Sequence, residues 1–577
     1  MSETRLREDP IDTGLLDWVE RPFPDRSLRF LQDDGTWRPH PYPELAARVR
    51  AVAGRLLACG LERGQVVVVV HRTGPDFVAS FFGAIYAGGT VSPLAPPTAL
   101  GGGEEWTRHA AHVIDAASAS LVLADEDLAD AAAEAAGRAG RRCPVIVPDD
   151  GTRDAVERPR PPAEIALLQF TSGSRGPTRG VRVSRENLEA NISMIGRWIR
   201  SGDIGGASWL PLYHDMGLVG GLLVPVTTQM EHGLARPEQF IQTPLRWLAE
   251  FGSGNGEIMV MPNFGFDYVT RRIRPDKLEG MDFSSVKVVI TGAERVRPSS
   301  LLAFVRLLAP FGFDPCALQP AYGLAEATLA VSGVEYGRIP RIAAIAPGPL
   351  QIGDPVEVLR TGDLTEFDEE QGDSVLWHVS CGGPLHGTSI EVVDDLGDPL
   401  PESHVGEIAV EGPAVAAGYS REDHEASTRF EDRRLFTGDA GFILDGELYV
   451  LGRIGDSLQV RGRNLYVEDL EQALAEEGLF SWHRMAVVAG YLDDLPTVCL
   501  LSEAPVKGEE VLDVFASLIG PDVAVRVIKV PRRTIEVTSS GKPRRRRIWQ
   551  KVLAGDLPGE VVAVAGPEPR EPVGGTR

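Results

Sequence analysis

The stretch GQVVVVVHR, residues 64–72, places five valines in a row, Val66 to Val70. Such a run is too short to span a membrane as a helix, and it lacks the alternation of polar and apolar residues expected of a strand with one face in water. It therefore predicts a strand that is buried on both faces. Similar apolar runs recur at SLVLAD, CPVIVP, EIALLQF, EIMVMP and VKVVITG, with helical stretches between most of them. This arrangement is typical of an α/β fold in which parallel sheets are wrapped by helices.

The pattern of the sequence changes after about Pro384. The stretches IEVVDDLGDPL, GEIAVEG and GELYVLG predict short strands joined by turns, in a smaller β-rich subdomain. Another compact unit follows GRIGD, with its own helix in VEDLEQALAEEG and its own strands. We therefore expect a large N-terminal domain over residues 1–452, a hinge over 453–456 and a small α+β C-terminal domain over 457–555. Residues 556–577 are rich in Pro, Gly and Val without periodicity, which predicts a disordered tail.

The composition is that of a globular protein with more than one domain. The chain has 577 residues, 43% of them apolar, and a formal net charge of −24. This charge argues against nucleic acid or an anionic membrane as a general partner. Five scattered cysteines without a CxxC pair fit a reducing compartment, and the polar N-terminus MSETRLREDPIDTG differs from a signal peptide. No apolar run is long enough for stable membrane insertion, so we expect a cytoplasmic protein that binds no nucleic acid.

A second strand ends abruptly in small and cationic residues. In LLQFTSGSRGPTRG, Leu167 to Gly180, mostly apolar residues give way to glycines, hydroxyl side chains and arginines. Such a loop can aim backbone N–H groups and guanidinium groups at a phosphate, because glycine allows close approach. The loop does not match the GxxxxGK[ST] pattern. From these residues alone, a phosphate site and a flexible surface turn remain alternatives.

Seven motifs follow one another in a fixed order. They are LQFTSGSRGPTRGV, SWLPLYHDMGLVGG, ITGAERVRP, AYGLAEATL, FTGDAGF, GRIGDSLQVRGRNLYVEDLE and SSGKPRR. This order resembles the adenylate-forming superfamily of acyl-CoA synthetases, luciferases and nonribosomal adenylation domains, over nearly the whole chain. The phrases TPLRWL, MPNFGFDYVTRRI and VSCGGPL, and the long interval from Ala330 to Ser380, make the chain most similar to the fatty acyl-AMP ligases.

The resemblance implies an adenylate-forming fold with a mobile C-terminal domain, and an ATP-dependent acid ligase. Such an enzyme uses ATP and Mg²⁺ to convert a carboxylic acid, here a fatty or bulky apolar one, into acyl-AMP and pyrophosphate. The acyl group then passes to the thiol of CoA or of a phosphopantetheinyl acyl carrier protein, directly or through a separate thiolation protein. A complete acyl-CoA ligase is one alternative, and an inactive homologue that acts as a binding protein is another.

The resemblance also assigns the loop after Phe170 to ATP. Thr171, Ser172, Gly173 and Ser174 are expected around the β- and γ-phosphates. Arg179 stands where the family usually has lysine, so a planar guanidinium fork replaces a compact ammonium group. We therefore expect the grip on pyrophosphate to differ from that of relatives.

Two further motifs are expected at the base of the nucleotide. Tyr322, followed by Gly323, matches the position that packs against adenine. Gly292, Ala293 and Glu294 match residues that line the base or its edge. A buried tyrosine is more often a core residue, so this assignment depends on the motif and not on the residue type.

Three charged residues are expected at the metal and the ribose. Glu326 matches the position that binds Mg²⁺, where a hard carboxylate oxygen can share the ion with phosphate oxygens. Asp439 matches the carboxylate that accepts both ribose hydroxyls, and Arg453 matches the arginine beside the ribose and phosphate. Without the motifs, these residues read as a helix-face glutamate, a turn aspartate and a surface salt-bridge arginine.

Two residues are expected next to the reacting atoms. Lys542, in SSGKPRR, matches a mobile catalytic lysine that stabilises charge on the α-phosphate and the acid. The alternative for this basic run is a nucleic-acid patch or a solvated surface. His214 matches a histidine that borders the route between ATP and the acyl pocket, although a lone histidine is usually structural.

The hinge differs from that of relatives. Gly455 stands where aspartate or lysine is usual, and glycine admits many backbone conformations. We expect adenylation to survive and thioester formation to be weak, slow or carried out by another protein. A neutral replacement is the alternative.

Overall fold

The computed structural model describes most of the chain. The described residues are 14–97, 103–141, 143–148, 155–171, 179–200, 204–346, 350–367, 376–421, 428–431, 433–454, 458–460, 463–492, 495–519, 523–537 and 542–567. Ser172, Gly173, Ser174 and Gly455 lie outside these ranges, so their assigned roles stay predictions.

The α-helices, numbered in chain order, are short to medium in length. They are α1 (Asp17–Glu20), α2 (Tyr42–Ala58), α3 (Pro75–Tyr86), α4 (Gly103–Ala116), α5 (Ala129–Arg138), α6 (Arg185–Trp198), α7 (Val224–Thr227), α8 (Pro237–Gln242), α9 (Pro244–Gly252), α10 (Asn263–Arg272), α11 (Pro298–Leu308), α12 (Val467–Glu476), α13 (Gly508–Leu518) and α14 (Arg545–Ala554). Met216–Leu223 is wound as a π-helix that leads into α7. Among the described residues, no helix combines the length and apolar character needed to cross a membrane.

The strands, also numbered in chain order, alternate with the helices in the first half of the chain. They are β1 (Ser27–Leu31), β2 (Trp37–Pro41), β3 (Val66–Val70), β4 (Thr90–Pro93), β5 (Leu121–Ala124), β6 (Val145–Ile146), β7 (Ile165–Thr171), β8 (Arg179–Ser184), β9 (Ile204–Ser208), β10 (Glu231–Leu234), β11 (Ile258–Val260), β12 (Val288–Thr291), β13 (Leu318–Gly323), β14 (Ala330–Gly333), β15 (Arg341–Ile345), β16 (Val358–Asp363), β17 (Leu376–Val379), β18 (Gly383–Pro384), β19 (Ser389–Val393), β20 (Gly406–Glu411), β21 (Arg429–Glu431), β22 (Arg434–Leu444), β23 (Glu447–Arg453), β24 (Leu458–Val460), β25 (Arg463–Leu465), β26 (Met485–Leu492), β27 (Leu495–Ser502), β28 (Ala524–Lys529) and β29 (Glu560–Ala565).

Two large mixed sheets form the first part of the molecule. One has six strands in the order β6-β5-β3-β4-β7-β8, and the other has nine in the order β18-β14-β13-β12-β11-β9-β10-β1-β2. The central pairs of both sheets are parallel. The pair β7–β8 is antiparallel, so the predicted phosphate loop joins two neighbouring strands at one edge of the first sheet.

The five valines form β3, in the interior of the six-stranded sheet. Val67 and Val69 belong to the same apolar cluster as residues of α2 and α3, whereas Val68 and Val70 belong to the cluster formed with α4 and α5. All four side chains are fully buried. The prediction of a strand covered on both faces is confirmed.

Short antiparallel strands follow Pro384, as predicted. β19, β20, β22 and β21 form a sheet in that order, and β23 pairs with the C-terminal half of β22, on the same edge as β21. A second small sheet, β16-β15-β17, packs against it through a shared apolar cluster. The pairing of β22 with β23 places Asp439 opposite Arg453.

The C-terminal unit has its own sheet and its own core. Its strands lie in the order β26-β27-β28-β29, with the hairpin β24–β25 preceding them. Leu470 of α12, Val487 of β26 and Phe515 of α13 are fully buried in one cluster there.

The expectation of a disordered tail from residue 556 is wrong for residues 560–565. These residues form β29, which pairs antiparallel with β28 and places Ala565 opposite Val525. Val561, Val562 and Val564 favour a strand, and Ala563 is buried in the core of the unit. The flanks of this strand are rich in Pro and Gly, so the composition of the segment does not indicate a strand. Residues 568–577 lie outside the described part of the chain.

Charged and aromatic side chains join the C-terminal unit to the rest of the molecule. Arg295 forms an ion pair with Asp469 of α12, and both side chains are almost fully buried. The guanidinium group of Arg297 lies 4.0 Å from the ring centre of Trp482. These contacts close one side of a cavity between the two parts.

Candidate active site

A cavity of about 1140 Å³ lies between the large sheets, the β-rich sheet and the C-terminal unit. Most of the predicted site residues that the structure describes are in its walls: Arg179, His214, Ala293, Glu294, Tyr322, Gly323, Glu326, Asp439, Arg453 and Lys542. Gly292, the residue before Ala293, is not one of the lining residues. The backbone of Thr171 pairs with that of Arg179 where β7 and β8 meet the predicted phosphate loop.

Asp439 is held from both sides, by one side chain of β13 in the nine-stranded sheet and one of the neighbouring strand β23. The Tyr322 hydroxyl donates to its Oδ2 at 2.6 Å, and the Arg453 Nε lies 2.9 Å from its Oδ1. Burial, and then the nearby Asp439 carboxylate, raises the pKa of Tyr322 well above its usual value, so the phenol stays protonated and donates. Each carboxylate oxygen has two lone pairs. One per oxygen therefore remains for a pair of ligand hydroxyls.

Gly292 and Gly323 allow backbone segments to approach closely at the cavity. A Cβ atom on Gly323 would lie 1.9 Å from the carbonyl oxygen of Leu329, and one on Gly292 would lie 2.8 Å from that of Ala321. Both distances are shorter than real Cβ contacts. Strand β13, which carries Tyr322, therefore requires glycine at position 323, and the loop after β12 requires it at position 292.

Gly323→Ala is therefore expected to destabilise the protein by about 1–3 kcal/mol, because the new methyl group must displace a backbone carbonyl. The free energy of unfolding, from urea denaturation, measures the loss. Gly137→Ala is the matched control, since that glycine lies in α5 and its Cβ would meet nothing within 4 Å. Equal stability of the two variants would contradict the close approach at Gly323.

Lys542 reaches the cavity from the C-terminal unit. Its ammonium group donates to the carbonyl oxygen of Ala293, whose φ of 65° is left-handed and rare for a residue other than glycine. Pro543 forms an isolated antiparallel bridge with Val537 just beyond it. The lysine is thus placed beside the loop that is expected to line the base.

Two titratable groups near Lys542 have shifted pKa values. Burial raises the pKa of the Glu294 carboxyl group, which accepts a hydrogen bond from the Phe264 N–H at 2.8 Å. Burial lowers the pKa of His214, the Asp215 carboxylate opposes this shift, and the Lys542 ammonium group adds to it. The imidazole is therefore neutral at neutral pH, with one donor and one acceptor nitrogen.

Glu326 presents a carboxylate to the cavity from the 3₁₀ turn Ala325–Ala327. The side chain is buried, and its Oε1 accepts a hydrogen bond from the Tyr419 hydroxyl at 2.6 Å. Across the described ranges, no group of three or more His, Cys, Asp and Glu side chains could hold a metal ion by itself. A single hard oxygen donor suits Mg²⁺ that is shared with phosphate oxygens. The residues present therefore fit an ion that arrives with the nucleotide.

The structure adds residues to which the sequence analysis assigned no role. Gln169, in β7, lines the cavity and donates to the Tyr213 carbonyl at 2.8 Å, while its buried Oε1 has no hydrogen-bond partner among the described residues. Arg295 and Tyr419 also line the cavity. The polar residue inside the apolar run LLQF was the available signal for Gln169. Nothing in the sequence indicated the partners of Tyr419.

A comparison with protein families identifies the chain. The model of the AMP-binding enzyme family matches residues 17–420, which include the loop after β7, the Glu326 turn and Tyr419. The chain belongs to the AMP-binding enzyme family. As in that family, the enzyme is an ATP-dependent acid ligase, and the sequence-based assignment to the adenylate-forming superfamily is confirmed.

Curated relatives of this AMP-binding enzyme align with it over most of their length. It is 31% identical to the medium-chain-fatty-acid–[acyl-carrier-protein] ligase JamA of Moorena producens, over 89% of this chain and 90% of the relative. It is 30% identical to the long-chain-fatty-acid–AMP ligase FadD26 of Mycobacterium marinum, over 87% of this chain and 90% of the relative.

Solved structures of similar proteins share its fold. A structure from studies of fatty acyl-adenylate ligases of E. coli and L. pneumophila superposes with a TM-score of 0.80 and 28% identity, covering 96% of this chain and 99% of that one. The adenylate-forming fold predicted from the motifs, with α/β sheets and a small C-terminal unit, is confirmed.

Proposed function

We propose that this AMP-binding enzyme converts a fatty or similarly apolar carboxylic acid into acyl-AMP, and that the acyl group then passes to a thiol. One observation carries the proposal. A single cavity brings together the Lys542 ammonium group, the Glu326 carboxylate and the Asp439 carboxylate between Tyr322 and Arg453.

In the proposed reaction, a carboxylate oxygen of the acid attacks the α-phosphorus of ATP. The new bond joins this oxygen to the α-phosphorus, the bond from the α-phosphorus to the bridging oxygen breaks, and pyrophosphate leaves with that electron pair. Two anions must approach each other, so the chain must supply fixed positive charge. Lys542 supplies it at the α-phosphate and the attacking oxygen.

The other residues bind and orient the substrates in this proposal. Asp439 accepts the two ribose hydroxyls with the lone pairs that Tyr322 and Arg453 leave open. Glu326 would hold Mg²⁺, which supplies charge neutralisation at the phosphates when bound. Neutral His214 offers the acid carboxylate a hydrogen bond without adding a second charge beside Lys542.

An apolar end of the cavity supports an apolar acid. Ile241, Phe264 and Tyr268 line this end, and Trp209 packs behind Phe264 with 5.7 Å between the ring centres. Aromatic and aliphatic walls with few polar groups suit a hydrocarbon chain or ring. The names of the relatives, which act on medium-chain and long-chain fatty acids, agree with this choice.

The acceptor of the acyl group is proposed to be a phosphopantetheinyl carrier protein, with CoA as the alternative. JamA is named for transfer to an acyl carrier protein. We keep the hypothesis that Gly455 weakens the thioester-forming half-reaction of this chain alone. Arg546 and Arg547, exposed at the rim of the cavity, offer positive charge to a phosphate-bearing or acidic acceptor.

Acid-dependent exchange between ATP and labelled pyrophosphate tests the first half-reaction. Acetate, benzoate, octanoate and palmitate form a suitable panel, and we expect exchange with the fatty acids that requires both the acid and Mg²⁺. Reactions without acid are the control. MgATP binding without exchange for any acid would instead favour a binding protein.

The acceptor is tested by adding CoA or a phosphopantetheinylated carrier protein to the same reaction. We expect acyl-AMP to accumulate with CoA and a thioester to form only slowly on the carrier protein, each measured by mass spectrometry. Rapid and complete thioester formation by this chain alone, on CoA or on the carrier protein, would overturn the hypothesis about Gly455, and on CoA it would establish the complete acyl-CoA ligase.

A further inference from the structure

Residues 414–420, AVAAGYS, form a segment that joins two parts of the cavity wall; we refer to it as the bridging segment. At one end, the Ala416 N–H donates to the Glu326 carbonyl oxygen at 2.9 Å. At the other end, the Ser420 N–H donates to the Gly180 carbonyl oxygen at 2.8 Å. The segment therefore ties the Glu326 turn to the first residues of β8, directly after the predicted phosphate loop.

The bridging segment pairs with β8 through a short stretch of antiparallel backbone hydrogen bonds. The Ala417 N–H donates to the Arg182 carbonyl at 2.9 Å, the Arg182 N–H donates to the Gly418 carbonyl at 2.8 Å, and Val181 bridges antiparallel to Tyr419. A displacement of β8 would therefore carry Tyr419 with it.

The tie to the Glu326 turn holds an uncommon backbone conformation. Thr328 has a φ of 67°, which is rare for a β-branched residue. Its hydroxyl donates to the Ala414 carbonyl at 2.7 Å, and its side chain is buried. The position of the Glu326 carboxylate thus depends on the bridging segment through backbone and side-chain contacts.

The Tyr419 side chain contacts both functional groups. Its hydroxyl donates to Glu326 Oε1 at 2.6 Å, and the Arg179 guanidinium carbon lies 5.1 Å from its ring centre. Phe430 packs edge-on against the ring with centres 5.4 Å apart, which fixes the ring plane. An ordinary tyrosine hydroxyl is protonated at neutral pH, so it is the donor in its bond to the Glu326 carboxylate.

We propose that Tyr419 is a positioning residue that fixes the Glu326 carboxylate and the Arg179 guanidinium group relative to each other. Its hydroxyl takes one lone pair of Oε1, so that Oε2 keeps both of its lone pairs for the metal of MgATP, and its ring face holds Arg179 where β8 leaves the phosphate loop. The proposal rests on the proposed function, because it assigns Glu326 to the nucleotide's metal ion.

This arrangement gives a physical reason for arginine at position 179. A planar guanidinium group stacks on an aromatic face and still offers N–H donors at its edge, whereas a lysine ammonium group is more strongly hydrated and stacks less well. Arg179→Lys is therefore not a conservative change here, although lysine is the usual residue of relatives.

Tyr419→Phe tests the proposal, because it keeps the ring and removes only the hydroxyl. We measure ATP binding by calorimetry with Mg²⁺, with Mn²⁺ and with EDTA. Loss of one hydrogen bond to a carboxylate should weaken metal-dependent ATP binding roughly tenfold and leave metal-free binding unchanged. Tyr336→Phe is the matched control, since Arg200 lies 5.0 Å from the Tyr336 ring and that pair is not in the cavity wall.

A double-variant cycle separates positioning from general stability. Glu326→Gln and Tyr419→Phe act through one carboxylate, so the combined variant should bind MgATP no more weakly than Glu326→Gln alone. Additive losses would overturn the proposal, as would equal weakening of metal-free and metal-dependent binding by Tyr419→Phe, or no weakening at all. Wild-type protein that binds no MgATP would overturn the proposed function itself. If the wild-type protein catalyses ATP–pyrophosphate exchange and Tyr419→Phe binds MgATP as tightly as wild type, only this inference is overturned.

Discussion

Lys542→Ala is expected to lower the rate of acid-dependent ATP–pyrophosphate exchange by about 10²–10³-fold, with a smaller effect on ATP binding. The physical reason is that a pre-positioned donor acts mainly on charge that develops in the transition state, where removal of one such group has effects of this size. The ammonium group already lies in the cavity wall, bonded to the Ala293 carbonyl. Initial exchange rates and calorimetric ATP affinities, measured on the same preparations, separate the two effects.

Lys507→Ala is the matched control for this variant. Lys507 is an exposed lysine that precedes α13 in the same C-terminal unit and pairs with Glu510 in the first turn of α13. Its removal should leave exchange unchanged. If Lys542→Ala kept most of the exchange rate while wild-type activity was present, the assignment of Lys542 as the catalytic residue would be wrong.

Asp439→Ala is expected to raise the Kd for ATP by about 10–100-fold, because hydrogen bonds from ribose hydroxyls to a charged group are worth about 1.5–3 kcal/mol. The change also leaves the buried Tyr322 hydroxyl and the Arg453 guanidinium group without the carboxylate that both contact. The melting temperature should therefore fall as well, which thermal unfolding measures.

A substrate analogue separates recognition of ribose from loss of structure. Wild-type enzyme should prefer ATP to 2′-deoxy-ATP, and Asp439→Asn should lose most of that preference while keeping the size of the side chain. Asp394→Asn is the control, because Asp394 accepts two backbone N–H groups in an exposed turn after β19. Unchanged discrimination in Asp439→Asn would contradict a contact between this carboxylate and ribose.

The sequence predicts those parts of the fold that depend on local pattern. An apolar run without alternation must be covered on both faces, and the valines of β3 are. The strand at residues 560–565 was missed because a composition rich in Pro, Gly and Val describes disorder and an edge strand equally well. Only the pairing with β28 distinguishes them.

The candidate site is predictable where a motif carries it and not where two distant segments meet. Asp439 and Arg453 each lie in a motif, but their contact arises from the register of β22 and β23, which no spacing reveals. The contact of Tyr419 with Glu326 joins residues 93 positions apart. This contact depends on the backbone hydrogen bonds at both ends of the bridging segment, so the sequence motifs could not predict it.

The valine strand also has a consequence for how this protein finds its native pairing. A side chain repeated at five successive positions is the same after a shift by one residue, so β3 itself carries no information about its own alignment. That information must come from its ends. Just after the last valine, the Nδ1–H of buried His71 donates to the Asp125 carboxylate at 2.5 Å, and its Nε2 forms a hydrogen bond with the Ser80 hydroxyl at 2.9 Å. A slip by one residue would move this imidazole away from both partners. The hydrogen bonds of His71 therefore specify the pairing register of β3, which the valines alone do not.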